Sequence, residues 1–290
     1  MKSLRGTGVA LVTPFLEDGE IDFVSLKKLL NHTAKGVDYY VVMGTTGEAA
    51  TCSQDEKKEV LDFVIKNNRQ GLPIVYGIGG NHTHGVLEEI DATNLKRVTA
   101  LLSVSPYYNK PSQEGIAQHF EAVAEFSPVP IILYNVPGRT ASNLTAATTL
   151  RLARHANIIG IKEASGNLEQ CMAIARHKPS DFLLISGDDL LTVPLYAIGG
   201  AGVISVLANA YPRIFQRMTI AAAHGDYRKA QTEAFKLLDI NGPMYEEGNP
   251  TGIKFLLSLM GICEPHTRLP VVPPSPALQA KIKMLYRSIK

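Results

Sequence analysis

Ile158-Ile159-Gly160-Ile161-Lys162-Glu163-Ala164-Ser165 reads as a short buried strand that ends on a charge. A continuous apolar run of this length suits a parallel strand covered on both faces. An ammonium is costly to bury, whereas the neutral amine of a lysine is a nucleophile that forms a Schiff base with a carbonyl compound. A strand-end lysine can also lay its stem on apolar surface and send its amine to water, and the strand alone does not separate the two readings.

Seven more runs of the same kind surround it, at residues 8–15, 39–44, 73–78, 100–104, 130–135, 182–186 and 202–206; the first strand-six run covers 158–162. The stretches between them carry helix signals. Asp22 can cap a helix that holds Leu26, Leu29 and Leu30 and stops at Gly36. Ser53-Gln54-Asp55-Glu56 has the spacing of a capping box ahead of Val60, Leu61, Val64 and Ile65. Ser112 opens another helix, with Ile116, Phe120 and Val123 on one face. Eight strand–helix units in succession predict a (β/α)₈ barrel rather than an open doubly wound sheet. The open sheet would carry a Gly-x-Gly-x-x-Gly turn after its first strand, where this chain has Val12-Thr13-Pro14-Phe15. From Pro212 onward the pattern is helical only, over 225–238 and 251–260, with a proline-rich bend at 269–276 before a last amphipathic helix. The expected fold is α/β: a TIM barrel over residues 1–224, then a small all-α C-terminal domain over 225–290.

With 29 basic and 27 acidic residues, the net charge of +2 gives no basis for binding nucleic acid or an anionic membrane. No apolar stretch is long enough to span a bilayer. Three cysteines far apart, Cys52, Cys171 and Cys263, fit a reducing compartment better than a disulfide framework. Met1-Lys2-Ser3-Leu4-Arg5-Gly6 runs straight into a strand-like segment without an apolar leader, so a cytoplasmic protein is expected.

In a barrel of this type the chemistry sits at the C-terminal ends of the strands. The unusual residues of this chain gather at that rim. Strand two ends in Gly44-Thr45-Thr46-Gly47-Glu48, strand four runs into Ser105-Pro106-Tyr107-Tyr108-Asn109-Lys110-Pro111, and strand five ends in Tyr134-Asn135-Val136-Pro137-Gly138-Arg139-Thr140. Lys162 ends strand six, Gly187-Asp188-Asp189 follows strand seven, and Ile204-Ser205 lies on strand eight. Each piece alone has an ordinary reading: a turn, packing aromatics, a surface arginine, a helix cap. Together at one rim they are far more specific.

In this order the pieces resemble the dihydrodipicolinate synthase family of the pyruvate-dependent class I aldolase superfamily, and the resemblance spans the whole chain. The loop Gly44–Glu48 and the strand-six lysine are common to the superfamily, while the turn Gly138-Arg139-Thr140 points to the synthases. The resemblance implies that Lys162 forms the Schiff base with pyruvate and that Tyr134 is the acid/base, linked through Thr45 to Tyr108 from a neighbouring subunit. It implies a homotetramer built as a dimer of dimers. It implies that Thr46 holds the pyruvate carboxylate, that Gly187 and Ile204 offer backbone oxygens, and that Arg139 takes the carboxylate of L-aspartate 4-semialdehyde, which a guanidinium fork suits. No cofactor or metal is implied, because the imine of Lys162 with pyruvate is itself the electron sink. The related N-acetylneuraminate lyases and keto-sugar-acid aldolases share the lysine and tyrosine but lack the arginine turn. One departure stands out. Lysine-inhibited relatives carry imidazoles at the positions of Gln54 and Lys57 and a carboxylate at that of Gly85; this chain keeps only Asn81 and Tyr107 of that set, so weak or absent inhibition by lysine is expected.

Three other readings are weaker. His82-Thr83-His84 would put its rings on opposite faces of a strand, with no third ligand at a metal spacing. Gly199-Gly200-Ala201-Gly202 precedes strand eight and so lies at the wrong end for a phosphate site. An inactive barrel kept as a regulatory subunit would be expected to have lost Lys162, Tyr134 or Arg139.

Overall fold

Parallel strands need crossovers, and this chain supplies a helical one after each strand. The computed structural model describes residues 4–289. Its barrel units are β1 (Gly6–Ala10) with α1 (Phe23–Thr33), β2 (Tyr39–Val42) with α2 (Gln54–Asn67), and β3 (Ile74–Gly77) with α3 (Thr83–Asp91). Then come β4 (Ala100–Val104) with α4 (Gln113–Phe126), and β5 (Ile131–Asn135) with the one-turn α5 (Pro137–Thr140) and α6 (Ala146–Leu152). The last three are β6 (Ile158–Glu163) with α7 (Leu168–His177), β7 (Leu183–Ser186) with α8 (Thr192–Ala197), and β8 (Gly202–Ser205) with α9 (Pro212–Ala223). Each strand pairs with the next, and β1 closes the ring on β8 in the register Gly8↔Ile204. The expected TIM barrel is what the chain forms.

The period-2 alternation of strands divides each one between two cores. Val41, Val75, Leu102, Ile132, Tyr134, Ile185 and Ile204 fill the barrel interior. Their neighbours Val42, Tyr76, Leu101, Leu133, Ile161, Leu184 and Val203 pack outward against the helices. Lys162 pairs with Tyr134 on one side and Ile185 on the other, so it shares their inward parity.

The caps form as the sequence indicates. Asp22 accepts from Ser25 N at 2.9 Å, Ser53 and Glu56 close a reciprocal capping box, and Ser112 accepts from Gly115 N at 3.2 Å. Two segments differ from expectation. The first strand covers Gly6–Ala10 rather than reaching residue 15. Pro14 has no N–H for a ladder, Thr13 turns its hydroxyl to Gly47 O, and Phe15 forms an antiparallel bridge with Ile21 instead. The segment His82-Thr83-His84 is not a strand: His82 precedes α3, Thr83 opens it, and His84 pairs with Glu88 one turn on, at 3.3 Å on the helix surface. The threonine hydroxyl there lies 2.9 Å from His119 Nδ1, which ties the start of α3 to α4.

After α9 the chain is helical: α10 (Tyr227–Phe235), α11 (Leu238–Asn241), α12 (Thr251–Leu259) and α13 (Pro276–Ser288). Among the described residues no helix is long and apolar enough to cross a membrane. Residues 251–257 of α12 are all buried, including Lys254, whose exposure is 0%. Its Nζ lies 2.5 Å from Glu48 Oε1 in the loop after β2, donates to His266 O at 2.8 Å and sits 4.1 Å from the Phe15 ring centroid. Burial pushes the Lys254 ammonium below its usual range, and the Glu48 carboxylate pulls it part of the way back. Arg268 covers the same ring at 4.4 Å, gives its backbone N–H to Glu48 and clamps Glu56 and the carbonyls of Gly19 and Thr51.

Removing one partner of such a pair strands a buried charge. Lys254→Met alone is expected to cost about 3–5 kcal/mol, and adding Glu48→Gln should recover most of it. Urea unfolding of the single and double variants checks this; a single-variant loss below about 1 kcal/mol would mean the pair behaves like an exposed one.

Candidate active site

The C-terminal mouth of the barrel holds a cavity of roughly 350 Å³, lined among others by Thr45, Lys57, Tyr107, Tyr134 and Arg139. The elements that bring these residues together are far apart in sequence, and the barrel alone makes them neighbours. Tyr134 stands inward near the end of β5, directly across from Lys162 on β6. Lys162 is 6% exposed, and its Nζ lies 4.2 Å from the centroid of the Tyr134 ring. The phenol ring is thus a wall of the cavity, with the amine against it, and among the described residues Lys162 forms no ion pair.

Gly187 makes room for that stem. A Cβ there would stand 2.6 Å from the Ala164 methyl and 3.1 Å from Lys162 Cε, so no larger residue fits. Its N–H is tied to Glu163 O at 2.7 Å. The next residue along β6, Glu163, points the other way and is held entirely by neutral donors: Asn135 Nδ2 at 3.0 Å, Ser165 N at 2.8 Å and Gln170 Nε2 at 2.9 Å. Asn135 also accepts from Leu144 N at 2.9 Å, so one buried network fixes the ends of β5 and β6.

The loop Gly44–Glu48 is a one-turn 3₁₀ segment between Met43 and Glu48, both in the left-handed region at φ 57° and 54°. Thr45 lines the cavity, whereas Thr46 is buried and accepts from Asn249 Nδ2 at 3.0 Å. Tyr107 and Arg139 complete the mouth, Arg139 as an exposed side chain on α5. Ile204 sits in the barrel interior outside the cavity wall. Tyr108 is 87% exposed at φ 70°, away from the cavity, and among the described residues no hydrogen bond joins the hydroxyls of Tyr134, Thr45 and Tyr108. In the cavity wall, Lys57 on α2 is bridged to Glu89 of α3 at 3.4 Å, while Gly85 lies in the first turn of α3.

Asp189 is buried behind this site, accepting from Leu207 N at 2.8 Å. Burial raises its carboxyl to about 6 against that hydrogen bond, and the positive charge of Lys162 draws it back slightly.

The barrel geometry matches proteins already known. The dihydrodipicolinate synthetase family model fits residues 3–288. The chain belongs to that family. A 4-hydroxy-tetrahydrodipicolinate synthase of Cytophaga hutchinsonii is 49% identical to it, over 100% of this chain and 98% of that protein. Among solved structures, the chloride-inhibited dihydrodipicolinate synthase of Acinetobacter baumannii, complexed with pyruvate, superposes with a TM-score of 0.96 at 36% identity, over 99% of both chains. A monomeric dihydrodipicolinate synthase variant superposes at 0.95 with 34% identity, over 98% of this chain and 96% of that one. Membership makes the chain an enzyme of the lyase type that works through a lysine Schiff base and needs no cofactor.

Sequence reading missed Asn249 and Lys254, because their partners lie some 200 residues away. A signal for Lys254 existed: it stands inside Thr251-Gly252-Ile253-Lys254-Phe255-Leu256-Leu257, where a charge needs a buried partner.

The folded Asp189 carboxyl, at about 6, stays protonated where the unfolded one, near 3.8, has already ionised. The stability this group contributes is therefore present at low pH and declines as the pH rises from about 4 to about 6. At about 1.4 kcal/mol per pH unit, the native chain should lose on the order of 3 kcal/mol relative to Asp189→Asn between pH 4 and 7. Denaturant titrations of both chains across that range read the difference; a constant gap would show that Asp189 is ionised throughout.

Proposed function

We propose that the chain condenses pyruvate with L-aspartate 4-semialdehyde to 4-hydroxy-tetrahydrodipicolinate, on the diaminopimelate route to lysine. The observation that carries this is the buried amine of Lys162 against the ring of Tyr134, a residue that lines the cavity. That amine adds to the pyruvate ketone and loses water to give an imine. The imine draws electrons from the adjacent methyl, which gives up a proton and becomes an enamine carbon. This carbon forms the new bond to the aldehyde, whose oxygen takes a proton. The amine of the semialdehyde then displaces Lys162 at the imine carbon, closing the ring and freeing the enzyme.

Tyr134 is the group we assign to these proton transfers, since it touches both the cavity and Lys162. Thr45 and Tyr108 complete the relay in our reading, Tyr108 by reaching into the cavity of a second copy. Its exposure and its left-handed backbone support that role, because an aromatic side chain is seldom left fully in water on a strained rim. On that basis we propose a homotetramer assembled as a dimer of dimers; the monomeric relative means that the fold itself does not demand assembly. Thr46 with nearby backbone N–H groups is assigned to the pyruvate carboxylate, Gly187 and Ile204 to backbone contacts, and Arg139 at the mouth to the semialdehyde carboxylate. Three free, buried cysteines suit a reducing compartment, and we place the enzyme in the cytoplasm.

Turnover of pyruvate with L-aspartate semialdehyde, followed in the native chain, Lys162→Ala and Arg139→Ala, tests the reading. Activity should vanish in the first variant, while the second should raise KM for the semialdehyde by roughly a hundredfold. Borohydride with pyruvate should fix one adduct on native chain and none on Lys162→Ala. A folded native chain with an adduct but no turnover would point to a different aldehyde.

Lysine should be a poor inhibitor, because Gln54, the cationic Lys57 and the bare Gly85 stand where lysine-inhibited relatives carry imidazoles and a carboxylate. Titrating activity with lysine decides this; half-inhibition below about a millimolar, a binding energy of some 4 kcal/mol, would overturn it.

A further inference from the structure

We propose that Asn249 is a positioning residue that sets the direction of the Thr46 hydroxyl proton, which makes the helical C-terminal segment part of the ketoacid-binding site. The proposal rests on the assignment of Thr46 to the pyruvate carboxylate.

A threonine hydroxyl has one proton and two lone pairs, and it rotates to suit its neighbours. Left alone, it can offer an incoming carboxylate either the proton or a repelling lone pair. Here the choice is removed. Asn249 Nδ2 donates to Thr46 Oγ1 at 3.0 Å, and both residues are buried. An amide N–H₂ can only donate, so the threonine oxygen must accept at that point and its own proton must turn elsewhere. Among the described residues no protein acceptor takes that proton. It is left for a ligand that can accept, and an anionic carboxylate is the best such acceptor. The Oδ1 of Asn249 has no partner although it is buried. An orphaned carbonyl is costly, which is consistent with a residue retained for what its N–H₂ does rather than for its own satisfaction.

The contact is not an isolated touch between loops. Two residues further along the same loop, Glu48 is paired with Lys254, five residues beyond Asn249, at 2.5 Å. The same two segments are thus joined at two points, and the buried ion pair fixes their relative height. Thr46 cannot slide away from Asn249 without Glu48 leaving Lys254. The loop is held from its other side by Thr13, whose hydroxyl donates to Gly47 O at 2.6 Å. The hydroxyl direction is therefore set by a donor on a rigid mount, which is what preorganised binding of an anion requires.

Steady-state kinetics of Asn249→Ala and Asn249→Asp, each in the native and the Thr46→Val background, test this. Asn249→Ala should raise KM for pyruvate roughly tenfold by freeing the rotor. Asn249→Asp should raise it by about a hundredfold, since a carboxylate would claim the threonine proton and repel the substrate. KM for the semialdehyde should stay within about twofold, and in Thr46→Val neither replacement should move KM for pyruvate by more than about twofold. Equal effects on both substrates, or effects that simply multiply with Thr46→Val, overturn the proposal in favour of a general structural role. Should Asn249→Ala fail to fold, Asn249→Ser, which keeps a short donor, is compared with Asn249→Asp in the same cycle. A native chain that traps pyruvate with borohydride yet shows no Asn249 effect sinks this inference alone. A native chain that traps none removes the substrate assignment, and this inference falls with it.

Discussion

The ion pair between Glu48 and Lys254 ties the two ends of this chain into one object. Both groups are out of water, Lys254 completely so, and neither can lose the other without stranding a charge. Glu48 adopts the left-handed conformation in the loop after β2, and from there its carboxylate meets Lys254 of α12. Phe15 then lies under both Lys254 and Arg268, so the segment that leaves β1 is drawn into the same knot. Arg268 in turn holds Glu56, whose carboxyl it pulls down to about 2 while that group also closes the capping box of α2. The loop that carries Thr45 and Thr46 is thus fixed from β1, α2 and α12 at once. The C-terminal helices are built into the rim of the barrel.

That fixing matters because the rim is where the backbone is strained. Met43, Glu48, Tyr108, Lys110 and Ala141 are the non-glycine residues with positive φ among those described, and all follow the C-terminal ends of β2, β4 or β5. Such conformations persist only where surrounding contacts over-determine them. The opposite end of the barrel meets its turns with glycines, Gly6, Gly71 and Gly199 among them, at far lower strain. Strain sits on the catalytic side, and the buried ion pair and the Asn135–Glu163 network hold it there.

What was legible in the sequence followed from local physics. Apolar runs of strand length and capping residues such as Asp22, Ser53 and Ser112 placed most elements, because each depends on residues within a few positions. The placing of Tyr134 and Lys162 at the C-terminal ends of neighbouring strands followed once the barrel was assumed, and the register sets them side by side. The misses have a common cause. The early end of β1 goes with Phe15 finding Ile21 and Lys254, and Thr83, read as part of a strand, opens a helix whose hydroxyl contact is His119 of α4. Nothing near Thr46 announces Asn249. These are contacts between distant segments, which no short window contains.

Lys162 and Lys254 make the point most sharply. Each is a lone lysine inside an apolar run, and by local pattern the two are hardly distinguishable. The fold separates them by what it brings alongside. Lys254, in the middle of a buried helix, meets a carboxylate and a backbone carbonyl, so its amine is bonded to the protein and its charge is compensated. Lys162, at the end of a strand, meets the face of Tyr134, which lines the cavity, and a glycine that clears space for its stem, with no carboxylate in ion-pair reach among the described residues. A lysine whose amine is already bonded is structural; one that is sheltered and free of an ion pair is the one we propose reacts with a carbonyl carbon. In the function proposed for this barrel, the chemistry depends less on having a buried lysine than on withholding from one of two such lysines the partner given to the other.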